Sequence, residues 1–470
     1  MIQFGTGGWR ALIGEDFTKE NVQLLTQAVA ALIQRNGLAE QGFVVGYDRR
    51  FLSDKGARWM AEVLAGNGVQ VYCMDRIAPT PLVMYTVKKL NTPYGAAVTA
   101  SHNPADYNGI KLFTAGGRDA TEEITAQLET EVARLTPADI RTLPFAAGVE
   151  SGAIRIVNYF NEYIDTILDM IDTQAIRARG LKVILDPMYG VSKTSLQTIL
   201  ITTRCELEII HDRHDTLFGG RLPSPNAITL QHLQNLVVEK GFDIGIGTDG
   251  DADRLGISDE RGSFIHPNDI LALLYYYLMK YKGWRGDVVR NVATTHLLDS
   301  IAAGFGQRCH EVPVGFKHIS SKMEETDALI GGESSGGLTI RGHIQGKDGV
   351  FAASLLIELL CVTGKHLSEL LAEIYAQYGC FVMAERDYAL TVARREALRD
   401  MLFTRRECPD FGLPIARINY EDGMKVYFEG GGWIICRFSG TEPLVRIFCE
   451  HESQAQAEAL LQVMIRFLGL

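Results

Sequence analysis

Short β-branched runs alternate with amphipathic helical segments over the first three quarters of the chain. Residues 18–37 carry apolar side chains at helical spacing, open on a Thr and end in Asn-Gly, which predicts a helix. A strand is predicted at residues 42–48, a helix at 53–66 and a strand at 69–74. The alternation returns at residues 181–190, 242–249 and 300–315. Such alternation is typical of α/β layers with largely parallel strands.

The pattern changes beyond about residue 380. Strands are predicted at residues 423–429 and 431–440, and an amphipathic helix at about 453–467, which together indicate an α+β domain. At roughly 100 to 200 residues per domain, 470 residues suggest three or four domains. We therefore expect three α/β domains of similar mixed topology followed by one α+β domain. The predicted boundaries are 1–150, 151–256, 257–375 and 376–470.

The composition is that of an ordinary globular protein. Apolar residues make up 46% of the chain and charged residues 22%, which argues against extended disorder and against a fibrous protein. The formal net charge of -11 repels polyanions and no basic run offsets it, so no nucleic-acid partner is expected. The eight cysteines are scattered singly and are expected to be reduced thiols. No leader pattern opens the chain and no stretch of about 18 apolar residues follows, so we expect a cytoplasmic protein without a membrane partner.

A hydroxyl, an imidazole and an ammonium are predicted to gather near the end of one strand. Residues 99–104 read Thr-Ala-Ser-His-Asn-Pro and directly follow an apolar run, and Lys111 lies shortly downstream of Ser101 and His102. Ligands of open α/β sheets bind at that edge. The alternative is a polar turn whose side chains only satisfy backbone groups.

Three carboxylates at alternate positions follow another strand of buried character. Like charges at Asp249, Asp251 and Asp253 repel strongly unless a cation neutralises them. Hard oxygen ligands of this kind suit Mg²⁺, whereas a calcium loop needs Gly at its sixth position, where this chain has Arg254. The segment therefore predicts a magnesium site, with a structural Asp-rich turn as the alternative.

Two further segments carry groups that suit a phosphorylated sugar. Residues 331–337 are rich in Gly and include Glu333 and two serines, which can hydrogen-bond vicinal hydroxyls, although a solvated turn fits as well. Residues 437–446 place Arg437 and Arg446 on either side of hydroxyls and a glycine, as in a phosphate cradle. The alternative there is a surface turn with Arg446 in an ordinary ion pair.

In this order and at this spacing, the four segments resemble the motifs of the α-D-phosphohexomutase superfamily. The resemblance extends over almost the whole chain, and residues 5–10 also look like the family's N-terminal signature. It implies four domains around a central cleft and an isomerase that works through a phosphoserine and a bisphosphorylated sugar. Glucose 1,6-bisphosphate is the implied activator, and Mg²⁺ the implied metal.

The resemblance also implies roles for individual residues. Those implied in the chemistry are Ser101, Lys111, His102, Arg10, Arg254, His343 and Lys347. Those implied in metal binding are Ser101, Asp249, Asp251 and Asp253. Those implied in sugar binding are Glu333, Ser335 and Lys317. Those implied in phosphate binding are Arg437, Ser439, Gly440, Thr441 and Arg446. A general base needs a lowered pKa, and Lys111 is the first candidate, with His343 and Lys347 as the others.

Glucose phosphate is the expected substrate. The bacterial phosphomannomutase/phosphoglucomutase branch usually ends its sugar loop in His, where this chain has Gly337. Residues 343–349 and 315–317 are similar instead to the phosphoglucomutase branch. A mannose-phosphate or dual-specificity mutase is the next alternative. A phosphoglucosamine mutase follows, because that branch tends to carry Gln where this chain has Ser334.

Two alternatives belong to other functional classes. A protein that binds sugar phosphate without turnover is disfavoured by the intact Ser101 and the complete Asp triad. A phosphatase that releases phosphate to water from the same intermediate differs only in how well water is excluded. The expected partners are small sugar phosphates, bound by a monomer or a homodimer.

Overall fold

The computed structural model describes residues 2–5, 7–439 and 444–470. Its strands are, in chain order, β1 (Phe4–Gly5), β2 (Gly8–Leu12), β3 (Phe43–Tyr47), β4 (Val71–Met74), β5 (Tyr94–Val98), β6 (Tyr107–Thr114), β7 (Arg118–Asp119), β8 (Ile154–Val157), β9 (Lys182–Asp186), β10 (Glu206–Ile209), β11 (Ile244–Thr248), β12 (Leu255–Ser258), β13 (Phe264–Ile265), β14 (Val288–Asn291), β15 (Cys309–Val312), β16 (Ile330–Gly332), β17 (Leu338–Ile340), β18 (Val382–Ala389), β19 (Ile415–Asn419), β20 (Met424–Phe428), β21 (Trp433–Phe438) and β22 (Leu444–His451). Its α-helices are α1 (Lys19–Arg35), α2 (Ser53–Gly66), α3 (Thr80–Leu90), α4 (Glu122–Val132), α5 (Phe145–Ser151), α6 (Phe160–Met170), α7 (Thr173–Arg179), α8 (Ser192–Thr202), α9 (Gln231–Lys240), α10 (Pro267–Lys280), α11 (Leu297–Gly304), α12 (Phe316–Thr326), α13 (Gly349–Thr363), α14 (Leu367–Tyr378), α15 (Val392–Arg399) and α16 (Gln454–Leu468).

The helices and strands expected from periodicity are present. The predicted first helix is α1, and the hydroxyl of Thr18 caps it by accepting a hydrogen bond from the Asn21 N–H at 3.2 Å. The closing helix is α16, capped in the same way by Ser453. Local signals therefore determine where these helices begin.

The chain divides into two compact units. The first comprises Met1–Ile270 and Ser335–Ser368, and the second comprises Leu271–Ser334 and Glu369–Leu470.

The first unit contains two mixed sheets. One has the order β1-β2-β6-β5-β3-β4-β8, with β7 on β6, and the other has the order β10-β9-β11-β12-β13. Strands β3, β4, β5 and β8 run parallel, but β1, β2 and β6 pair antiparallel, so this sheet is less parallel than the alternation alone predicts. The sheets still form the mixed α/β layers expected.

The order of the strands positions the polar segments of the first unit. Because β3 and β5 are parallel neighbours, the residues that follow them meet at one edge of the sheet. Strand β6 returns antiparallel to β5 and pairs Lys111 with Ala97, close to that edge. The segment after β3 therefore meets the segment after β5, about fifty residues further along the chain, close to Lys111.

The second unit also contains two sheets. Strands β15, β14 and β16 are parallel, whereas β18-β22-β21-β20-β19 form an antiparallel sheet. One face of the antiparallel sheet is covered by α16, with Ile434, Val445 and Leu461 among the buried side chains. This is the α+β arrangement predicted for the C-terminal part.

Among the residues that the structure describes, no single helix is long and apolar enough to cross a membrane. Helices α13 and α14 reach that length and hydropathy only when they are counted together across the break between them.

Candidate active site

Ser101 lies in a strained loop directly after β5. Its backbone has φ +53°, a left-handed conformation that costs a non-glycine residue about 1 kcal/mol or more. Its N–H donates to Oγ1 of Thr99 at 2.8 Å, and that hydroxyl donates to Asp48 at 2.6 Å. The side chain is buried, with 1% of the residue exposed. The surrounding hydrogen bonds therefore hold the Ser101 hydroxyl in one direction.

Arg50 holds the same loop from the other side, and the sequence analysis missed it. Its guanidinium donates to the backbone carbonyls of Ser101 at 2.8 Å, Pro104 at 2.6 Å and Tyr107 at 3.1 Å. It also donates to the carbonyl of Asn103. The sequence did contain a signal for this contact, because an Asp-Arg-Arg segment directly follows β3. Strand β3 pairs in parallel with β5, the strand that leads into the serine loop, so the two segments end at the same edge of the sheet.

Arg50→Lys is expected to lower the free energy of unfolding by about 2–3 kcal/mol, because an ammonium cannot reproduce the planar donor fork at a buried site. Urea denaturation at neutral pH measures the change. The matched control is Arg58→Lys, an exposed arginine on α2, which should stay within about 0.5 kcal/mol of wild type. Equal stabilities of the two variants would show that the carbonyl contacts contribute nothing.

The three aspartates follow β11 and lie beside the serine. Oδ2 of Asp249 accepts a hydrogen bond from Oγ of Ser101 at 2.8 Å. Each carboxylate of Asp249, Asp251 and Asp253 offers one oxygen, and these three oxygens lie within 4.8 Å of one another. All three side chains are buried. Gly250 allows this approach, since a Cβ there would come within 2.6 Å of the Ser101 carbonyl oxygen.

The charges of this cluster suit a divalent cation. Burial, together with the neighbouring charges of Asp251 and Asp253, raises the pKa of Asp249 well above its usual range. Oδ1 of Asp251 and Oδ1 of Asp253 are buried and accept no hydrogen bond from any described residue. Buried carboxylate oxygens without donors are the ligands that Mg²⁺ prefers. The triad therefore fits the predicted metal.

Lys111 is in the expected place, but its protonation differs from the expectation. Its Nζ lies 2.6 Å from Asp251 and 2.6 Å from Asp253. Burial alone would lower the pKa of Lys111, but these two carboxylates outweigh burial and raise the pKa above its ordinary value. The prediction of a lowered pKa is wrong for this structure, because the sequence could not show that two carboxylates flank the amine.

His102, Arg10 and Arg254 surround the same cluster. Nδ1 of His102 lies 3.4 Å from the Ser101 hydroxyl, and burial followed by Arg254 and Arg10 holds the pKa of His102 well below its usual range. The imidazole is therefore neutral at physiological pH. Burial, followed by repulsion from Arg254, lowers the pKa of Arg10. The backbone N–H of Arg254 donates to Oδ1 of Asp249 at 3.1 Å.

Residues 343–348 connect the aspartate loop to a buried carboxylate. Nζ of Lys347 lies 3.1 Å from Asp253. Nε2 of His343 lies 2.7 Å from Asp348, which also accepts a hydrogen bond from the hydroxyl of Tyr163 at 2.8 Å. Asp348 caps α13 as well, so Lys347 projects from a firmly anchored turn. Lys347 and His343 were expected from the sequence, whereas Tyr163 and Asp348 were not.

The boundary between the two units falls within the predicted sugar loop. Ser335 belongs to the first unit, where the adjoining Gly336 accepts a hydrogen bond from the Leu255 N–H at 3.1 Å. Glu333 belongs to the second unit, at the end of β16, and its Oε2 lies 3.5 Å from Nδ2 of Asn291. Lys317 is the second residue of α12 in that same unit.

The predicted phosphate segment is a hairpin of the antiparallel sheet. The register of β21 and β22 places Arg437 directly opposite Arg446, so their side chains share one face. Ser439 closes the hairpin, because its N–H donates to the Leu444 carbonyl at 2.9 Å. Arg395 of α15, which the sequence analysis missed, donates to the Ser439 carbonyl at 2.8 Å. The predicted Gly440 and Thr441 lie outside the described residues.

Both hairpin arginines also contact carboxylates. Nη2 of Arg437 lies 3.1 Å from Asp422, and Nε of Arg446 lies 3.5 Å from Asp387. About a third of the Arg446 side chain is exposed, at 36%. The register places both guanidiniums on one face, which is the arrangement that bidentate contacts to a phosphate would need.

Comparisons with known proteins agree with this arrangement. The chain matches the phosphoglucomutase/phosphomannomutase models for alpha/beta/alpha domains I, II and III and for the C-terminal domain, over residues 1–139, 161–262, 266–378 and 384–466, respectively. The phosphoglucomutase/phosphomannomutase of Thermococcus kodakarensis is 31% identical over 467 residues, which cover 99% of this chain and 98% of that protein. The probable phosphoglucosamine mutase of Methanobrevibacter smithii is 30% identical over 468 residues, with 99% and 98% covered.

A solved structure extends the likeness to three dimensions. The putative phosphomannomutase from Thermus thermophilus superimposes with a TM-score of 0.86 at 30% identity, covering 100% of this chain and 99% of that one. Because all four domain models match in order and two relatives of at least 30% identity span nearly the whole chain, this protein belongs to the phosphoglucomutase/phosphomannomutase family of the α-D-phosphohexomutase superfamily, whose members are mutases that transfer phosphoryl groups.

Proposed function

We propose that this chain interconverts glucose 1-phosphate and glucose 6-phosphate through a phosphoserine at Ser101. The observation that carries the proposal is the 2.8 Å contact between the Ser101 hydroxyl and Asp249 of the buried triad. A phosphoryl group on that hydroxyl would add negative charge beside carboxylate oxygens that lack donors, and a divalent cation would offset both charges.

The family is magnesium-dependent, and we propose that Asp249, Asp251 and Asp253 hold the ion together with the phosphoserine. Bound there, Mg²⁺ would offset the charge that spreads over the transferring phosphoryl oxygens. The neutral His102 orients the Ser101 oxygen, and Arg10 and Arg254 supply positive charge around the same group.

Each phosphoryl transfer requires one group to accept a proton and another group to donate one. A sugar hydroxyl attacks phosphorus and loses its proton, while the P–O bond to Ser101 breaks and the serine oxygen needs a proton. Because the pKa of Lys111 is raised, we assign Lys111 to the cationic role, stabilising or protonating the departing Ser101 oxygen. His343 and Lys347 remain the candidates that accept the proton of the sugar hydroxyl.

The bisphosphorylated sugar must then turn round and return its other phosphate to Ser101. We propose that Glu333, Ser335 and Lys317 bind hydroxyls and that the Arg437–Arg446 face holds whichever phosphate is not reacting. Glucose 1,6-bisphosphate would prime the serine and act as the activator. The two guanidiniums of the hairpin support this part of the proposal.

The choice of sugar rests on residues 343–349 and 315–317, which are similar to the phosphoglucomutase branch. A specific observation favours a second candidate, because several curated relatives of 27–30% identity are named phosphoglucosamine mutases. A phosphomannomutase or a dual-specificity mutase is a third candidate, as the names of two relatives indicate.

A coupled assay with glucose 1-phosphate, mannose 1-phosphate and glucosamine 1-phosphate tests the proposal. It is run with and without glucose 1,6-bisphosphate, and released inorganic phosphate is measured in parallel. The proposal requires the largest kcat/KM for glucose 1-phosphate, together with dependence on the primer. Preference for the amino sugar would overturn the assignment of glucose, and stoichiometric phosphate release would indicate a phosphatase.

Arg446→Ala is expected to lower kcat/KM for both glucose 1-phosphate and glucose 6-phosphate by roughly ten- to several-hundred-fold, because one cradle holds the distal phosphate in both orientations. Steady-state kinetics in the two directions measure the effect. The control is Arg386→Ala, a surface arginine paired with Glu458, which should change either value by no more than a few fold. A loss confined to one substrate would contradict the shared cradle.

A further inference from the structure

The carboxylate of Asp422 connects two segments of the second unit. Asp422 lies between β19 and β20, and its Oδ1 accepts a hydrogen bond from Nη2 of Arg437 at 3.1 Å. Its Oδ2 accepts a hydrogen bond from the backbone N–H of Val314 at 2.7 Å. The side chains of Asp422 and Arg437 are 22% and 14% exposed, so both contacts are largely shielded from water. Charge-assisted hydrogen bonds keep much of their strength in such surroundings.

The two connected segments carry different proposed ligand contacts. Arg437 belongs to the phosphate-binding hairpin. Val314 lies three residues before Lys317, and the chain turns into α12 at Gly315, whose φ is +132°. The carbonyl of Gly315 already accepts a hydrogen bond from the His318 N–H at 3.0 Å, so the turn is closed. A displacement of the Val314 backbone would therefore be carried directly to Lys317.

Other contacts fix the two sheets of the second unit relative to each other. Glu311 of β15 accepts hydrogen bonds from Lys425 and from the Tyr427 hydroxyl of β20, each at 2.8 Å. Glu450 of β22 accepts a hydrogen bond from the His296 N–H at 2.9 Å. These contacts join the two sheets independently of Asp422. Asp422 therefore adds a contact between two sheets that other side chains already join.

The turn that carries Asp422 also lies unusually close to the hairpin. Gly423 has φ +104°, and a Cβ there would come within 2.7 Å of the Cys436 carbonyl oxygen and 2.8 Å of Cβ of Arg437. Only glycine permits this approach. The approach leaves the Asp422 carboxylate little freedom to turn away from Arg437.

We propose that Asp422 is a positioning residue of the mutase, which sets the direction of the Arg437 guanidinium and the backbone that leads to Lys317. One carboxylate thereby couples recognition of the distal phosphate to recognition of the sugar. This inference rests on the proposed function, because it takes Arg437 and Lys317 as the ligand contacts of those two groups.

Two substitutions separate the two contacts. Asp422→Asn keeps an oxygen that can accept from the Val314 N–H but loses the charge that faces Arg437. The KM for glucose 1-phosphate and for mannose 1-phosphate should rise about three- to tenfold, while kcat and the ratio of kcat/KM for the two sugars should not change. Asp422→Ala loses both contacts, so that ratio should also change, by about threefold or more.

Three comparisons make the proposal falsifiable. Glu421→Gln, an exposed neighbour in the same turn, should leave KM within about twofold of wild type. A purely structural role would lower the folded fraction, and hence kcat, without changing KM, so an unchanged KM in both Asp422 variants would overturn the proposal. In an Arg437→Ala background, Asp422→Asn should raise KM no further, and full additivity would refute the link through Arg437.

The failure of this inference can be told apart from failure of the proposed function. Calorimetric titration with glucose 1-phosphate measures binding whether or not the enzyme turns the sugar over. If wild type binds glucose 1-phosphate without converting it, the proposed reaction fails. A weaker affinity in the Asp422 variants, beside an unchanged affinity in Glu421→Gln, would still support the positioning role.

Discussion

Ser101→Ala is expected to lower kcat for the conversion of glucose 1-phosphate by at least about 10³-fold, because the variant has no oxygen on which to carry the phosphoryl group. The fold should persist. The hydroxyl makes one short side-chain contact, to Asp249 at 2.8 Å, and loss of one hydrogen bond costs about 1 kcal/mol. The coupled assay with primer measures the rate, and urea denaturation measures the stability.

A second measurement tests the covalent role directly. Incubation of wild type with glucose 1,6-bisphosphate should add one phosphoryl group, visible in the intact mass, and Ser101→Ala should remain at its original mass. The matched control is Ser195→Ala, which removes a buried hydroxyl from α8 and should retain both phosphorylation and activity. Near-normal turnover of Ser101→Ala would refute the central step.

The strands and helices that carry the site could be predicted because their signals are local. Alternation and capping residues placed α1, α2 and β11, and a strand end next to Ser101 indicated the sheet edge where it lies. The carboxylates of the Asp loop were recognisable because like charges so close together need a cation. The family was therefore indicated by short motifs of the sequence, through their resemblance to those of the α-D-phosphohexomutases.

The residues that the sequence analysis missed act across long stretches of chain. Arg50 contacts backbone carbonyls about fifty residues away, and Asp422 contacts the backbone of Val314 more than a hundred residues away. No periodicity reports such a contact, since it depends on which strands become neighbours. The protonation of Lys111 was predicted wrongly for the same reason, because it depends on two carboxylates brought in from another strand end. The four domain boundaries and the central cleft stay predictions.

When no metal is bound, replacing an aspartate of the triad by asparagine should change the stability of the protein in a direction that depends on which aspartate is replaced. Burial and like charges raise the pKa of Asp249, so its ionised form destabilises the folded state at neutral pH. Burial alone would raise the pKa of Asp253, but Lys111, Lys347 and Arg254 together outweigh burial and hold that pKa well below its usual range, so the ionised form of Asp253 is stabilising. A carboxylate whose pKa is raised by folding makes the protein less stable as the pH rises towards that raised pKa. A carboxylate whose pKa is lowered by folding makes the protein less stable as the pH falls towards that lowered pKa.

Asp249→Asn in a chelator is therefore expected to melt at or above the temperature of wild type at neutral pH. The amide can still accept from the Arg254 N–H and meet the Ser101 hydroxyl, so little packing is lost. Asp253→Asn removes a partner of Lys111 and Lys347 and should cost about 3–5 kcal/mol. Thermal melts of the three proteins in EDTA measure both effects.

With Mg²⁺ bound, wild type should melt at a higher temperature than Asp249→Asn, which is the opposite of the result expected in EDTA. This change distinguishes a metal site from a structural Asp turn. A ligand that binds only the folded state raises its stability, so wild type should melt at a higher temperature when Mg²⁺ replaces EDTA. Each Asn variant has lost one charged ligand of the triad and should gain little from Mg²⁺, while its kcat falls by about 10² or more. If Mg²⁺ raised the melting temperatures of all three proteins equally, the ion would bind elsewhere. If Asp249→Asn were as unstable in EDTA as Asp253→Asn, charge repulsion would not dominate at Asp249, and the triad would be held together by its hydrogen bonds rather than arranged for a cation.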